Sequence, residues 1–358
     1  MSNPKISYSM ISAANALKRF GLTLSLVVWA FFLSACSRSP DYQTLTGRTM
    51  GTTWSVVFLP VEGMNVSLVQ ASLEADLLDV NGSMSTYIAD SEINRVSSAP
   101  VGEPIVLSAM FADVLSEAIT VSKLSDGAYD VTVAPLVDLW GFGPQFTADE
   151  VPSPVAIQEA MSKVGFKALT YDPETKTLIK SQERELDFSS IAKGYGVQRL
   201  ADLLEQQGVE HYLVEIGGEL LAKGLNPKGQ AWKIAVRYPD AARQGAAMTL
   251  NLDDVGVATS GDYFNFFQVG GQHFSHLIDP RTGGPIHHEV VSATVVDQNI
   301  TRADALATTL LVLGKDRALA LAEQESLAAL LLVKTPTGIK SFPSSVFAER
   351  YGSGETGE

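Results

Sequence analysis

The chain has 358 residues, 46 % of them hydrophobic and 18 % charged, with a formal net charge of −14. That composition is globular, with enough apolar material for one large domain or two closely packed ones. The acidic balance argues against nucleic acid or an anionic membrane surface as the main partner, and no low-complexity tract or short-period repeat is evident.

Residues 1–35 read as a secretory signal peptide rather than as part of the fold. They carry Lys5, Lys18 and Arg19 and no acid, and an uncharged run from Gly21 to Leu33 follows the basic pair. A basic segment, a short apolar run and small residues before a cut site make such a signal, and the run is short of the roughly 20 residues a spanning helix needs. Its removal moves the net charge from −14 to −17. Cys36 is the single cysteine, so no internal disulfide can form. Leu33-Ser34-Ala35-Cys36 resembles the bacterial lipobox, which implies acylation of Cys36 and a lasting lipid anchor. The alternative is a signal-anchor helix with an idle cysteine.

Residues 36–46 then read as a polar tether, 47–345 as the folded domain and 346–358 as a polar C-terminal tail. Thr49–Leu59 is rich in β-branched and aromatic residues and predicts a first strand. Ser67–Val80 has helical spacing, and Asn81–Tyr87 reads as a loop. Ser91 can cap a short helix, and Ser108 a longer one that ends at Gly127. Tyr129–Val133 reads as a strand, Leu136–Pro144 as an aromatic loop, and Val155–Val164 as a helix. Leu169–Asp172 and Thr177–Lys180 form a hairpin pattern. Leu186–Ser189 reads as a strand end, Ile191–Gln207 as a helix, and Tyr212–Ile216 as a strand broken by Gly217-Gly218. Further strands fall at 232–238, 249–252, 256–259, 263–269, 274–278 and 290–296, then helices at 301–313 and 315–323 and a late strand at 327–333. Strands and long helices without strict βαβ alternation predict an α+β fold with largely antiparallel sheet.

Three segments could carry chemistry. Asp187 through Gly196 (DFSSIAKGYG) starts a helix, where free N–H groups suit an anion. Lys193 lies in the first turn against the helix dipole, and Gly194 and Gly196 are poor helix formers. The segment is either an anion site or a capped helix with a solvated lysine and glycines for close packing. In Thr301 through Thr308, Asp304 and Thr308 share one helix face. They offer hard oxygens of the kind Mg²⁺ takes beside substrate phosphates; the alternative makes Thr301 a cap with Asp304 in its first turn. In Phe274 through Pro285, His276 can act as acid or base, and Asp279 sits in the turn beside it. Zinc on His273, His276, His287 and His288 is a rival reading with no thiol and no matching spacing. Aromatics such as Tyr87, Tyr129 and Trp140 could stack a flat ring, and neither of the common Gly-rich nucleotide motifs is present.

In order, Met50-Gly51-Thr52-Thr53-Trp54, Met84-Ser85-Thr86-Tyr87, Gly127 through Pro144, Asp187 through Gly196, Glu215-Ile216-Gly217-Gly218, Ser275 through Gly283 and Ala303-Asp304-Ala305 with Thr308 resemble the ApbE family of FAD:protein FMN transferases. The resemblance runs from about Gly47 to Gly314. It implies a T-fold-like α+β architecture and FAD contacts from Met50, Tyr87, Ala128, Tyr129, Asp130, Asp187, Lys193 and Ile278. Ser190, Asp304 and Thr308 would then hold Mg²⁺. The expected reaction joins the FMN half of FAD to a threonine or serine hydroxyl of a partner and releases AMP, with His276 as base and Asp279 as its orienter or substitute. Expected acceptors are subunits of the sodium-translocating quinone reductase and of Rnf-type complexes, carrying an Asp-[Ser/Thr]-Gly-[Ala/Ser]-[Ser/Thr] motif. The expected location is the periplasmic face of the inner membrane, with the outer membrane as the alternative, through acylated Cys36. The rival activities are a Mg²⁺-dependent FAD pyrophosphatase and a non-catalytic flavin-binding lipoprotein.

Overall fold

A computed structural model describes residues 41–144, 150–239, 245–262, 266–269 and 271–352. The signal segment and Cys36 lie outside the described residues. In chain order the elements are β1 (Gln43–Thr49), β2 (Thr52–Phe58), α1 (Val66–Met84), α2 (Glu92–Ser98), β3 (Pro104–Val106), α3 (Ala109–Leu124), α4 (Ala134–Leu139), α5 (Pro154–Ser162), β4 (Leu169–Asp172), β5 (Thr177–Lys180) and α6 (Ala192–Gln206). They continue with β6 (Tyr212–Ile216), β7 (Glu219–Lys223), β8 (Trp232–Arg237), β9 (Ala246–Leu252), β10 (Val255–Gly261), β11 (Phe266–Val269), β12 (Gln272–Ser275), β13 (Ile278–Asp279), β14 (Gly284–Pro285), β15 (Val290–Asp297), α7 (Ile300–Leu313), α8 (Lys315–Gln324), β16 (Ala328–Thr335), β17 (Gly338–Pro343) and α9 (Ser345–Tyr351). The architecture is α+β, as the pattern of elements predicts. No helix among the described residues is long and apolar enough to cross a membrane.

An eight-stranded sheet in the order β1-β2-β6-β7-β10-β15-β16-β17 organises the fold. Every neighbouring pair in it is antiparallel. Both of its faces are covered, and β16 shows how. Ala329, Leu331 and Val333 join the core that includes helices α1, α3, α6 and α7, whereas Ala328, Leu330 and Leu332 join a second core with Trp232, Leu250, Leu252 and Phe347. Side chains alternate along a strand, so a strand buried on both sides needs an unbroken apolar run. The sequence Ala328-Ala329-Leu330-Leu331-Leu332-Val333 meets that need.

Several sequence-based expectations change. Gln43–Thr46, placed in the tether, are half of β1, which pairs with β2. Thr49–Leu59 is not one strand: Met50 (φ +48°) and Gly51 (φ +73°) turn the chain between Thr49 and Thr52. Two consecutive positive φ values fit the tight hairpin turn that matches strand twist, but methionine in place of asparagine hides the signal. Asn81–Met84 continue α1. Tyr129–Val133 is a turn, because Asp130 bonds the amide of Thr132 two residues on. Pro135 then starts α4 inside the expected loop. Leu186–Ser189 forms no strand. Thr301 is not the cap of α7; Asn299 is, accepting from the Arg302 amide at 3.0 Å. Residues 346–351, read as the start of the polar tail, belong to the helix Ser345–Tyr351, which buries Phe347 completely. The expected caps Ser91 and Ser108 are in place, each accepting from the amide three residues on.

Candidate active site

The centre of the site is the start of α6, which has no side-chain cap of its own. Its cap comes from another helix. Asp304 on α7 accepts the Gly194 amide at 2.8 Å through Oδ2, across 110 residues of sequence. A carboxylate at this end also meets the positive pole of the helix. The two helices approach so closely that a Cβ on Gly194 would lie 2.5 Å from the Ile300 carbonyl oxygen and 2.7 Å from Asp304 Cβ. Gly194 is therefore a packing residue. Gly196 faces the hairpin tip, where a Cβ would lie 3.1 Å from Met50 Cε.

Lys193, one residue before Gly194, is answered by two acids. Its Nζ lies 3.5 Å from Glu219 Oε1 and 3.8 Å from Asp304 Oδ1. The lysine side chain is 27 % exposed and both carboxylates are nearly closed off. Burial opposes the ammonium charge, yet Asp304 and Glu219 hold it above the ordinary lysine range. Burial pushes the Glu219 carboxyl above the usual carboxylate range, against the pull of Lys193. Glu219 carries no local sequence signal beyond following the Gly217-Gly218 break; the packing of β7 beside α6 reveals it.

Tyr129 packs into the same region. Its hydroxyl is buried beside Ser190, with Asp304, Asp187 and Asp130 near enough to act on it. Burial, aided by those carboxylates, pushes the phenol well above its ordinary range, while Ser190 offsets part of the effect. Asp187 accepts the Ser189 amide at 2.6 Å and so shapes the turn into α6. Thr308 lies one turn beyond Asp304, and its Oγ1 is 2.8 Å from Ser260 Oγ on β10. Asp304, Ser190 and Thr308 thus supply one carboxylate and two hydroxyls, hard oxygens whose chemistry suits Mg²⁺ completed by substrate phosphates. Among the described residues no three His, Cys, Asp or Glu side chains gather as a metal site.

The histidine loop is built on a separate aromatic cluster. His276 is partly buried with Phe142 edge-on at 6.2 Å, and Phe142, Phe267, Phe274 and Trp140 form a small aromatic core behind it. Trp140 Nε1 donates to the Gly283 carbonyl at 2.9 Å and pins the loop. Ile278 pairs with Pro285. Asp279 is fully engaged: Oδ1 accepts the Arg281 amide and Nε at 2.9 Å each, and Oδ2 accepts Nη2 at 2.8 Å. Arg281 was not anticipated, and this pairing makes Asp279 a residue that shapes the turn. Asp138, on α4, carries no local sequence signal of a role; burial pushes its carboxyl up to about 6, with Glu185 and Asp187 adding to the effect.

Not every expected residue faces this centre. Asp130 is buried and accepts from the Thr132 amide (2.8 Å), Thr132 Oγ1 (2.6 Å) and the Phe166 amide (2.9 Å), which makes it the organiser of its corner. Ala128 is buried beside Tyr129. Tyr87 is 72 % exposed on the turn after α1.

The ApbE family model matches residues 50–331. The FAD:protein FMN transferase of Vibrio cholerae is 42 % identical over 317 residues, covering 88 % of this chain and 94 % of the relative. The enzyme of the same name from Haemophilus influenzae is 42 % identical over 328 residues, covering 90 % and 95 %. Among solved structures, the flavin transferase ApbE from Vibrio cholerae aligns with a TM-score of 0.80 at 40 % identity, covering 87 % of this chain and all of the other. The apo flavinyl transferase ApbE of Pseudomonas stutzeri aligns with 0.81 at 38 %, covering 88 % and 98 %. With most of its length matched in sequence and in fold, the chain belongs to the ApbE family.

Proposed function

We propose that this enzyme transfers the FMN half of FAD to a threonine or serine hydroxyl of another protein and releases AMP. The observation that carries the reading is the start of α6, where an ammonium, a helix N-terminus and a carboxylate meet. Such a place suits a pyrophosphate.

The acceptor oxygen attacks the FMN-side phosphorus, the bond from that phosphorus to the bridging oxygen breaks, and AMP leaves with the bridging oxygen. The hydroxyl proton passes to His276, whose ring is held by Phe142 and the aromatic core behind it. Asp279 contributes by holding the turn through Arg281. Lys193 supplies positive charge to the phosphates, and Tyr129 closes the floor beside Ser190. Asp304, Ser190 and Thr308 would hold Mg²⁺, which when bound neutralises charge on the pyrophosphate oxygens. Met50, Tyr87, Asp187 and Ile278 are the proposed flavin and nucleotide contacts, with Ala128 and Asp130 shaping the corner that presents Tyr129.

Around this core we place a lipid anchor on Cys36 and a site on the periplasmic face of the inner membrane. The acceptors are proposed to be redox-pump subunits of the sodium-translocating quinone reductase or Rnf type. Confinement to one membrane surface would raise the effective concentration of enzyme and acceptor. The test is incubation with FAD, Mg²⁺ and a peptide carrying the acceptor motif. Flavinylated peptide with equimolar AMP supports transfer; FMN and AMP beside unmodified peptide would identify a pyrophosphatase instead.

A further inference from the structure

Glu219 begins β7 directly after Gly217-Gly218 and is 3 % exposed. A buried carboxylate costs several kcal/mol unless it is paired. Its Oε1 is answered by Lys193 Nζ at 3.5 Å, while Oε2 is buried and meets no hydrogen-bond partner among the described residues. The fold therefore holds an expensive group whose partners among the described residues are its own backbone amide and a lysine of the site.

The same lysine is poised against Asp304. Asp304 Oδ2 is occupied by the Gly194 amide at 2.8 Å, which leaves Oδ1 as the oxygen available to a ligand. Lys193 Nζ stands 3.8 Å from that Oδ1. A closed ammonium–carboxylate bond is about 2.8 Å long, so the lysine has closed on neither acid. Both acids draw it, Glu219 from the nearer side, and the ammonium in turn favours the ionised form of the Glu219 carboxyl against its burial.

We infer that Glu219 is a positioning residue that draws the Lys193 ammonium off Asp304 Oδ1, keeping that oxygen open to a divalent cation while the ammonium stays available to phosphate. The inference rests on the proposed Mg²⁺ site. With Glu219→Gln the amide no longer competes for the ammonium; Lys193 then closes on Asp304 and occupies the place of the metal. Glu219→Asp keeps the competing charge on a shorter stem and restores metal binding in part.

The test uses the full chain in detergent with Mn²⁺ as probe, bound metal being read from the loss of the free-ion EPR signal, with Mg²⁺ competition and FAD-dependent AMP release measured in parallel. Glu219→Gln is expected to weaken Mn²⁺ binding about ten-fold, the lower end of what loss of an outer-shell partner costs a metal site. The Mg²⁺ needed for half-maximal AMP release should rise by a like factor, with Glu219→Asp lying between. Should Glu219→Gln fail to fold, Lys193→Met carries the test, because loss of the contending ammonium should leave Mn²⁺ binding as tight as wild type or tighter. Wild-type metal affinity in Glu219→Gln, or weakened affinity in Lys193→Met, overturns the inference. A wild-type chain that binds no Mn²⁺ and releases no AMP overturns the metal-site reading itself, and the inference with it.

Discussion

Gly194→Ala should destabilise this protein even though alanine favours helix by about 1 kcal/mol over glycine. The added Cβ would lie 2.5 Å from the Ile300 carbonyl oxygen, 2.7 Å from Asp304 Cβ and 3.1 Å from Thr301 Cα. Two of those atoms are backbone, so no rotamer change relieves the contact and α7 must move away. Overpacking of this kind costs about 1–3 kcal/mol. Moving α7 also stretches the bond from the Gly194 amide to Asp304, and a hydrogen bond to a charged group contributes about 1.5–3 kcal/mol. Against the propensity gain, the net loss is roughly 1.5–5 kcal/mol, a melting point lower by about 2–8 °C for a domain of this size. Gly196→Ala is the control. Its Cβ meets Ile216 Cδ1 at 3.0 Å and Met50 Cε at 3.1 Å, the ends of flexible side chains, so its change should stay within about 1 kcal/mol. Scanning calorimetry of both variants decides. A Gly194→Ala protein that melts at or above wild type, or below which Gly196→Ala falls, would refute the packing argument.

Asp304→Ala should abolish AMP release while the chain stays soluble, and loss of the charged hydrogen bond that caps α6 should cost about 1.5–3 kcal/mol; AMP assays and a urea titration read the two effects separately. Ser260→Ala frees the Thr308 hydroxyl from its 2.8 Å partner and should raise the half-saturating Mg²⁺ concentration by up to about ten-fold. His276→Gln should slow transfer by about 10²–10⁴-fold and leave FAD affinity near wild type, as flavin fluorescence would report. Asp138 predicts a pH effect on the protein without ligand. Its folded value of about 6 lies above the reference 3.8, so the folded state holds the proton more tightly. The stability it contributes is full below 3.8 and is lost as pH rises through about 6. Urea midpoints across that window should decline less in Asp138→Asn, and an unchanged slope would remove Asp138 from the explanation.

Local rules made much of the helical structure legible. Ser91 and Ser108 announce α2 and α3 because a cap needs only its own neighbours. Lys193 was conspicuous for a similar reason, since a cation in the first turn opposes the helix dipole. What remained hidden depends on distant partners. The cap of α6 lies on α7, 110 residues away, and Glu219 matters only because β7 runs beside α6. The choice between ligand space and close packing at Gly194 needed the position of Ile300. The Met50-Gly51 turn was masked by a residue seldom found at positive φ, and α9 was lost in a polar segment whose one deep anchor is Phe347.

The central claim is that FMN passes from FAD to a protein hydroxyl. Intact-mass spectrometry of a peptide carrying the acceptor motif, incubated with the chain, FAD and Mg²⁺, tests it most directly when AMP is quantified in the same tube. The account predicts one FMN moiety on each modified peptide, one AMP per modification, and loss of both with Asp304→Ala. FMN and AMP accumulating beside an unmodified peptide, or undiminished modification by Asp304→Ala, would contradict it.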